Sequence, residues 1–586
     1  MRQWMVAAKK ADFYAIAEKF HVDPVVARII RNREVIGEKN IRIYLGGNLS
    51  DLSDPHQMKD MDRLVEILAQ KIRKQVRIRI IGDYDVDGVT SSHLFLTALR
   101  RVGAKVDVVI PHRIQDGYGL SLHLLQQAKE DGVDTILTCD NGIAAIDEIA
   151  WAKAQKMTVL VADHHAVPFE EHEGRRTEKK SLADAVVNPH QQDCGYPYKE
   201  LCGAGVAWNV IRVLYKNYDM DKREAEDLLD FVAMATVCDV MSLTGENRIL
   251  VKEGLKRIRH TKNIGLQALM QACNVQPENI SAYHFGYVLG PCVNATGRLD
   301  TARHALRLFE TGQETEAEEI ARDLVDLNQE RKELTLQGVE MAKKLCEEGG
   351  YENDPVLVLF LPDVHESIAG LIAGRIREMY NRPVFVLTRG EEGVKGSGRS
   401  TENYSMYENM CGCVELFTKF GGHPMAAGLS LPEENVEKFR RKINENCPLT
   451  VEEVCPDIHI DMAMPVGYAS TELVHQFALL EPFGKDNPSP LFADRNLSIS
   501  RMWLIGKNRN VLRMSVLSEY GQPVPVIFFG DVETLFAYFT EKFGQEEVEN
   551  ALHGRKNRIL FSMVYTAKID FYQGNENLQL EMKYYR

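Results

Sequence analysis

The chain lacks any apolar run approaching the ~20 residues needed to cross a bilayer. Its most apolar stretch, residues 356–361 (VLVLFL), is only strand-sized. No secretory leader is expected either, because Lys9, Lys10 and Asp12 interrupt the N-terminal MRQWMVAAKKADFY. These absences point to the cytoplasm. There is no Cys-x-x-Cys pair among the eleven cysteines, and Cys411-Gly-Cys413 is poorly spaced for zinc. Free thiols in a reducing compartment are the simple expectation. Positive charge is short as well: 70 Lys and Arg against 84 Asp and Glu leave a net charge of −14. That excludes an indiscriminate basic coat but not a local basic groove. No tandem repeats or low-complexity segments occur. What is present is length: 586 residues exceed a single hydrophobic core, so several domains are expected.

The first ~70 residues carry helical apolar spacing, as in Phe13, Ile16, Ala17 and Phe20. From Val76 a different rhythm begins. Strand-like VRIRII, KVDVVIP, DTILTC, MTVLVA and ADAVVNP alternate with helix-like segments such as TSSHLFLTALRRVG and SLHLLQQAKEDG. Such alternation implies βαβ units and a parallel sheet. Residues 301–349 read as long polar helix, best explained as a solvated connection. GGYENDP then marks a boundary, and a second α/β unit follows: VLVLFL, a helix around IAGLIAGRIREMY, and PVFVLT. It closes on KFGGHPMAAG, read as glycines leading into a histidine and a helix-like stretch. The last ~130 residues alternate short strands and turns, the pattern of a small all-β barrel.

Acidic and imidazole side chains fall where three of the predicted strands end: Asp83, Asp85 and Asp87; then Asp140; then Asp163, His164 and His165. A parallel sheet brings its carboxyl ends to one edge, where ligands bind. Each piece alone has a plain reading. DYDVDG is an acidic turn, CDNG a common turn, and a His-His pair an ordinary surface feature. A calcium loop opened by Asp83 would close on an acid where Leu94 stands. Together, the carboxylates would repel one another unless divalent cations intervened. Oxygen-rich donors with one or two imidazoles suit manganese or magnesium, and two ions ~3.5–4 Å apart are the arrangement used for phosphate-ester hydrolysis.

GDYDVDG, CDNG and ADHH in this order resemble the DHH phosphoesterase superfamily, and FGGHPMAAG resembles the glycine-histidine motif of its associated second domain. DPHQMKDMD, PHRIQDGYGL, GPCVNATGRLDTA, VHESIAGLIAGRI, GSGRS and EPFGKDNPSPLF extend the likeness over nearly the whole chain, toward the single-stranded-DNA exonucleases of that superfamily. Two positions depart from the pattern, Asp486 and Pro424, where the family has glycine and alanine.

The resemblance implies an α/β fold in five segments: a helical segment over 1–70, a parallel-sheet DHH domain over 71–265, a helical connection over 266–349, a smaller DHHA1-type α/β domain over 350–447, and an OB-like barrel over 448–586. It implies Asp85, Asp87, Asp140, His164 and Asp239 as ligands of two divalent cations, manganese preferred, with Asp140 bridging. Asp83, Asp163 and His165 would support the chemistry. Arg113, Arg298, Ser397 and Arg399 would hold the substrate's terminal 5′-phosphate or adjacent backbone, and His423 would approach the scissile phosphate from the second domain. In the barrel, Lys507, Arg509 and Arg513, with Phe528 and Phe529, would contact the strand. The activity implied is 5′-to-3′ hydrolysis of single-stranded DNA to 5′-mononucleotides in DNA repair and recombination. The enzyme would work as a monomer beside a single-strand-binding protein and a RecQ-type helicase. Two alternatives differ in class: a phosphodiesterase for short oligonucleotides or cyclic dinucleotides, which typically lacks the barrel, and a non-catalytic replication scaffold, which would have lost the ligands.

Overall fold

The computed structural model describes residues 3–113, 116, 119–172, 175–390, 393–506, 510–572 and 574–586. They form two compact units, one of residues 52–241 and 246–456, the other of 3–51, 242–245 and 457–586. The expected 1–70 segment is therefore divided: the helix Met61–Arg73 lies in the first unit, while residues 3–51 lie in the second.

The first unit is built on two sheets. One is fully parallel, its strands ordered Lys105–Val109, Arg77–Ile81, Thr135–Cys139, Thr158–Ala162, Ala185–Val187. The β-branched RIRII run is buried on both faces, as a parallel strand under helices requires. Chain order reverses at Arg77–Ile81: the next strand in sequence lies on one side and the one after it on the other. That switch opens a crevice at the carboxyl ends, where the ligand-bearing loops emerge. The helix Val86–Arg101 follows at once, started by Asp85, whose carboxylate accepts from Gly88 N at 3.0 Å. It is buried almost all round, and Leu94 is wholly inside, so no calcium loop is possible here.

The second sheet is mixed, in the order Lys419–His423, Ala426–Leu431, Gly393–Arg399, Val384–Gly390, Leu357–Phe360. GGHPMAAG is thus an antiparallel hairpin and not the entry to a helix: His423 pairs with Ala426 across the Pro424-Met425 turn. Proline at the turn blocks continuation, and the glycines sit in the pleat. The helix Glu314–Glu348 is no solvated connector either. Ala317, Ile320, Ala321, Leu324 and Asn328, then Val339, Ala342 and Cys346, bury one stripe. Gly338 lets Ile372 approach to where a Cβ would stand 2.3 Å away.

In the second unit, Phe492–Ile505 pairs with Val511–Leu517 and with Leu560–Tyr572; Pro523–Phe528 pairs with Val511–Leu517 and with Asn575–Tyr585, which returns to Leu560–Tyr572. This is an OB-like sheet, but the region is not all-β. Helices Val532–Phe543 and Gln545–Leu552 intervene, the first capped by Asp531 and burying Val532, Leu535 and Phe539 at helical spacing. Nor is the N-terminus purely helical: Trp4–Val6 is a strand, parallel to Ile458–Ile460, ahead of the helices Phe13–Phe20, Pro24–Asn32 and Glu38–Gly46. Arg513 lies opposite Trp503 and over its ring; Phe528 is buried against Tyr585, and Phe529 is exposed. Lys507 and Arg509 lie outside the described residues.

Candidate metal centre and substrate pocket

The loops after Arg77–Ile81, Thr135–Cys139 and Thr158–Ala162 deliver their acids to one crevice. Three overlapping groups of donor atoms each lie within 4.8 Å: Asp83, Asp85 and Asp140; Asp87, His164 and Asp239; Asp140, His164 and His165. His164 Nε2 stands 3.1 Å from Asp140 Oδ1, 3.6 Å from Asp239 Oδ2 and 3.7 Å from Asp87 Oδ2. Asp239 comes from the C-terminal end of the helix Leu229–Cys238, so a fourth element completes the ring. Val240 after it closes a Schellman turn with φ 54°, an unusual conformation for a β-branched residue.

Asp140 itself is left-handed, φ 61°, a conformation that costs a non-glycine residue free energy and recurs at functional sites. Gly142 follows at φ 109°, where a Cβ would meet Thr138 Oγ1 at 2.6 Å. Burial and the charges of Asp87, Asp85, Asp239 and Asp83 push the Asp140 carboxyl well above its ordinary range. Burial and Asp85 do the same to Asp83, and burial and Asp87 raise Asp85. Burial lowers His164, favouring the neutral imidazole that ligates metals. Its Nε2 is buried and carries no hydrogen bond among the described residues. Carboxylates crowded until they resist ionisation, with a neutral imidazole nitrogen among them, are a donor set that fits hard divalent cations.

Asp163 faces differently. Its Oδ2 accepts from Ile143 N at 2.8 Å, and its Oδ1 from His164 N at 2.7 Å and from His165 N at 3.1 Å. Oδ1 also lies 2.8 Å from His165 Nδ1. Burial works against the anion, but these bonds and the two histidines bring Asp163 down to about 2. Burial likewise opposes protonation of His165, yet Asp163, Asp239 and Asp87 lift it to about 9. Asp163 therefore fixes the His-His turn, with Nδ1 of His165 engaged.

The sequence reading missed the backbone's share. Gly203 N and Ala204 N, opening the helix Gly203–Asn217, donate to the two oxygens of Asp87 at 2.6 and 2.7 Å. The helix N-terminus thus shares the Asp87 charge. Asn294 Oδ1 accepts from Val86 N at 3.2 Å, and Gly297 packs against Tyr84 O, where a Cβ would stand 2.6 Å away. GPCVNATGR is therefore the seat of the acidic loop.

Beside this centre lie three half-buried arginines. Arg113 stacks over Tyr84 at 4.8 Å, and Arg298 Nη1 donates to Ser367 O at 2.6 Å. Arg399 Nη1 donates to Ser397 Oγ at 3.3 Å and to Gly398 O at 2.7 Å. Burial, then the charges of Arg113, Arg331 and Arg399, lower Arg298 to about 10; burial, Arg113 and Arg377 lower Arg399. None of the three pairs with a described carboxylate. Cations drawn partly out of water, repelling one another without acidic partners, form a site for an external anion. His423 is exposed on the sheet rung it shares with Ala426 and Arg399, and no described contact joins it to the acidic cluster.

Comparison with known proteins covers the same domains. Family models match at residues 77–236 (DHH family, N-terminal domain), 353–447 (DHHA1 domain) and 460–584 (RecJ OB domain). The chain is 32% identical to the single-stranded-DNA-specific exonuclease RecJ of Haemophilus influenzae, over 96% of each protein. It is also 32% identical to that of Bacillus subtilis, over 87% of this chain but only 63% of the longer Bacillus protein. Among solved structures, RecJ from Thermus thermophilus in complex with Mn2+ shares the fold with a TM-score of 0.79 at 24% identity, covering 100% of this chain and 79% of that one. A second, exonuclease RecJ bound to manganese, is 31% identical with a TM-score of 0.57, covering 66% of this chain and 94% of that one. With an intact ring of carboxylates and imidazoles, an arginine pocket beside it, and sequence likeness running nearly end to end, the chain belongs to the RecJ family of DHH phosphoesterases.

Proposed function

We propose that this chain is a divalent-metal-dependent 5′-to-3′ exonuclease that hydrolyses single-stranded DNA to 5′-mononucleotides in repair and recombination. The observation that carries it is the adjacency of two opposite sites: a crevice of mutually repelling carboxylates and a cluster of half-buried arginines with no carboxylate partner among the described residues. Asp85, Asp87, Asp140, His164 and Asp239 would hold two cations, manganese preferred, with Asp140 between them. When bound, these supply charge neutralisation and water activation at the phosphodiester.

The chain's own groups do the rest. Arg113, Arg298 and Arg399, with Ser397, hold the terminal 5′-phosphate through guanidinium forks matched to phosphate oxygens. His165, fixed through Nδ1 by Asp163, presents its other ring nitrogen to the scissile phosphate. His423 approaches the same group from the second sheet. Asp83, whose carboxyl is pushed up by burial and Asp85, is the supporting carboxylate of the loop. A water oxygen joins phosphorus as the P–O3′ bond breaks. The terminal nucleotide leaves with its 5′-phosphate, and the shortened strand carries a new one. Arg513 and the exposed Phe529, with Lys507 and Arg509, are assigned to strand contact in the OB-like unit.

No described helix is long and apolar enough to cross a membrane. A cytoplasmic monomer working with a single-strand-binding protein and a RecQ-type helicase is the setting that family membership favours. The test compares a labelled long single strand, the matching blunt duplex and a dinucleotide, each with manganese and with chelator. Mononucleotides released from the 5′ end of the single strand alone establish the activity. Cleavage of the dinucleotide only would move the assignment to small substrates, and no metal-dependent cleavage would leave a scaffold.

A further inference from the structure

The mixed sheet carries more than the terminal-phosphate contacts need. Its register aligns three rungs on three strands: Arg399, Ala426 and His423; Ser397, Gly428 and Gly421; Lys395, Ser430 and Lys419. Alternate residues of a strand share a face, so these rungs form one continuous track, roughly 13 Å from the first to the third. Contacts along one edge agree with this. Arg399 bonds to Ser397, and Lys395 pairs with Glu366 at 2.8 Å. Gly370, one turn further along the helix Glu366–Tyr380, lies against Ser397 Oγ and Arg399.

The middle of the track has almost no side chains. A Cβ on Gly421 would meet nothing within 4 Å, and one on Gly428 only Gly396 O at 4.0 Å. Above it is a cavity of about 440 Å³, lined by Tyr84 and Arg113 and by Lys395 and Lys419. That is the size of a small-molecule pocket, about 300–1,000 Å³, and more than one phosphate group fills. Its lining holds three cations, Arg113, Lys395 and Lys419, against a single carboxylate, Glu366. The arginines already match a terminal phosphate; the two lysines stand two rungs further on.

We propose that this track receives the additional phosphates of a 5′-polyphosphate terminus, so that strands ending in a 5′-triphosphate are substrates alongside 5′-monophosphate ends. The inference rests on the exonuclease reading and deepens it. The α-phosphate occupies the arginine cluster, and the β- and γ-phosphates lie over Ser397, Gly421 and Gly428 toward Lys395 and Lys419. The chemistry is unchanged: water adds to the second nucleotide's phosphorus, the same P–O3′ bond breaks, and the terminal residue leaves as a nucleoside triphosphate.

The experiment uses the full chain with manganese and otherwise identical single strands bearing a 5′-monophosphate or a 5′-triphosphate, reading the mass and rate of the first product. We expect kcat/KM for the triphosphate strand within about threefold of the monophosphate strand, with release of a nucleoside triphosphate. Lys395→Ala/Lys419→Ala should lower the triphosphate value at least tenfold and the monophosphate value less than threefold. A triphosphate end that slows the wild-type protein tenfold or more overturns the proposal, as does an equal loss on both strands in the double variant. A dinucleotide as first product from the monophosphate strand would put a nucleotide on the track instead, and also overturns it. If neither strand is cut, the exonuclease reading itself fails; if only the monophosphate strand is cut, that reading stands and this inference falls.

Discussion

Gly203 donates its backbone N–H to the Asp87 carboxylate at 2.6 Å, across a separation of 116 residues. The contact needs glycine, because a Cβ at 203 would stand 2.6 Å from Asp140 Cβ and 2.9 Å from its Cα. Gly203→Ala should therefore move two metal-site carboxylates at once. We expect cleavage to fall at least 100-fold while the chain still folds, checked by single-turnover cleavage and by circular dichroism.

Asp140 combines strain with crowding, so its removal should hurt activity and spare stability. Asp140→Asn is expected to abolish cleavage, with a metal-free Tm equal to or above that of the parent. Manganese at 100-fold excess over its Kd stabilises a binding-competent protein by about 2.7 kcal/mol. The parent should show that upward shift in Tm and the variant should not. A full manganese shift in Asp140→Asn would remove Asp140 from the ligand set.

Arg298 carries a half-buried guanidinium with no carboxylate partner among the described residues, so its loss should be felt by one kind of end. Arg298→Ala should reduce kcat/KM on 5′-phosphorylated strands about 10- to 100-fold and change 5′-hydroxyl strands little. The ratio of the two rates on matched oligonucleotides measures this. An equal loss on both ends would mean that Arg298 acts only through its bond to Ser367 O.

Asp230 offers a pH signature away from the site. It is buried, bonded to Thr261 Oγ1 at 2.6 Å and to Phe231 N at 2.8 Å, and burial raises it to about 6. Between its unfolded value of 3.8 and about 6, the folded state keeps a proton that the unfolded state has released. Stability from this group is therefore full below 3.8 and is lost as pH rises through 6, an effect of about 3 kcal/mol at most. Neighbouring His93, lowered by burial to about 3, works in the opposite sense as pH falls below 6.5. It is common to both proteins, so the difference isolates Asp230. Asp230→Asn should be more stable than the parent at pH 7 and equal to it at pH 3.5, by urea unfolding at each pH.

The strand-end acids were legible because a parallel sheet converts sequence position into spatial position: a residue just past a strand lands at the common edge. Asp239 follows a helix and carries no such label; only the family pattern pointed to it. The Gly203 and Ala204 amides were invisible for another reason. Backbone donors have no residue type, and the helix they open is capped by Cys202, whose Sγ accepts from Gly205 N at 3.4 Å, instead of by a Ser or Asp that would mark its start. The hairpin at His423 was misread because small residues suit close helix packing as well as an open pleat. The helix Val532–Phe543 was missed because its aromatic residues also suit strands.

The strand Trp4–Val6 leaves the ribosome some 450 residues ahead of its partner, Ile458–Ile460. At roughly 5–20 residues per second, synthesis takes on the order of half a minute to a minute and a half to deliver that partner. The helices around Ala17, Val26 and Ile30 share a core with Met464, Phe492 and Tyr565, so they too wait with apolar faces uncovered. The nascent segment over 3–51 thus lacks its packing partners until the end of synthesis, while the first unit, complete by residue 456, can fold ahead of it. Arrested chains ending near residue 456 should expose residues 3–51 to protease and protect the acidic loops.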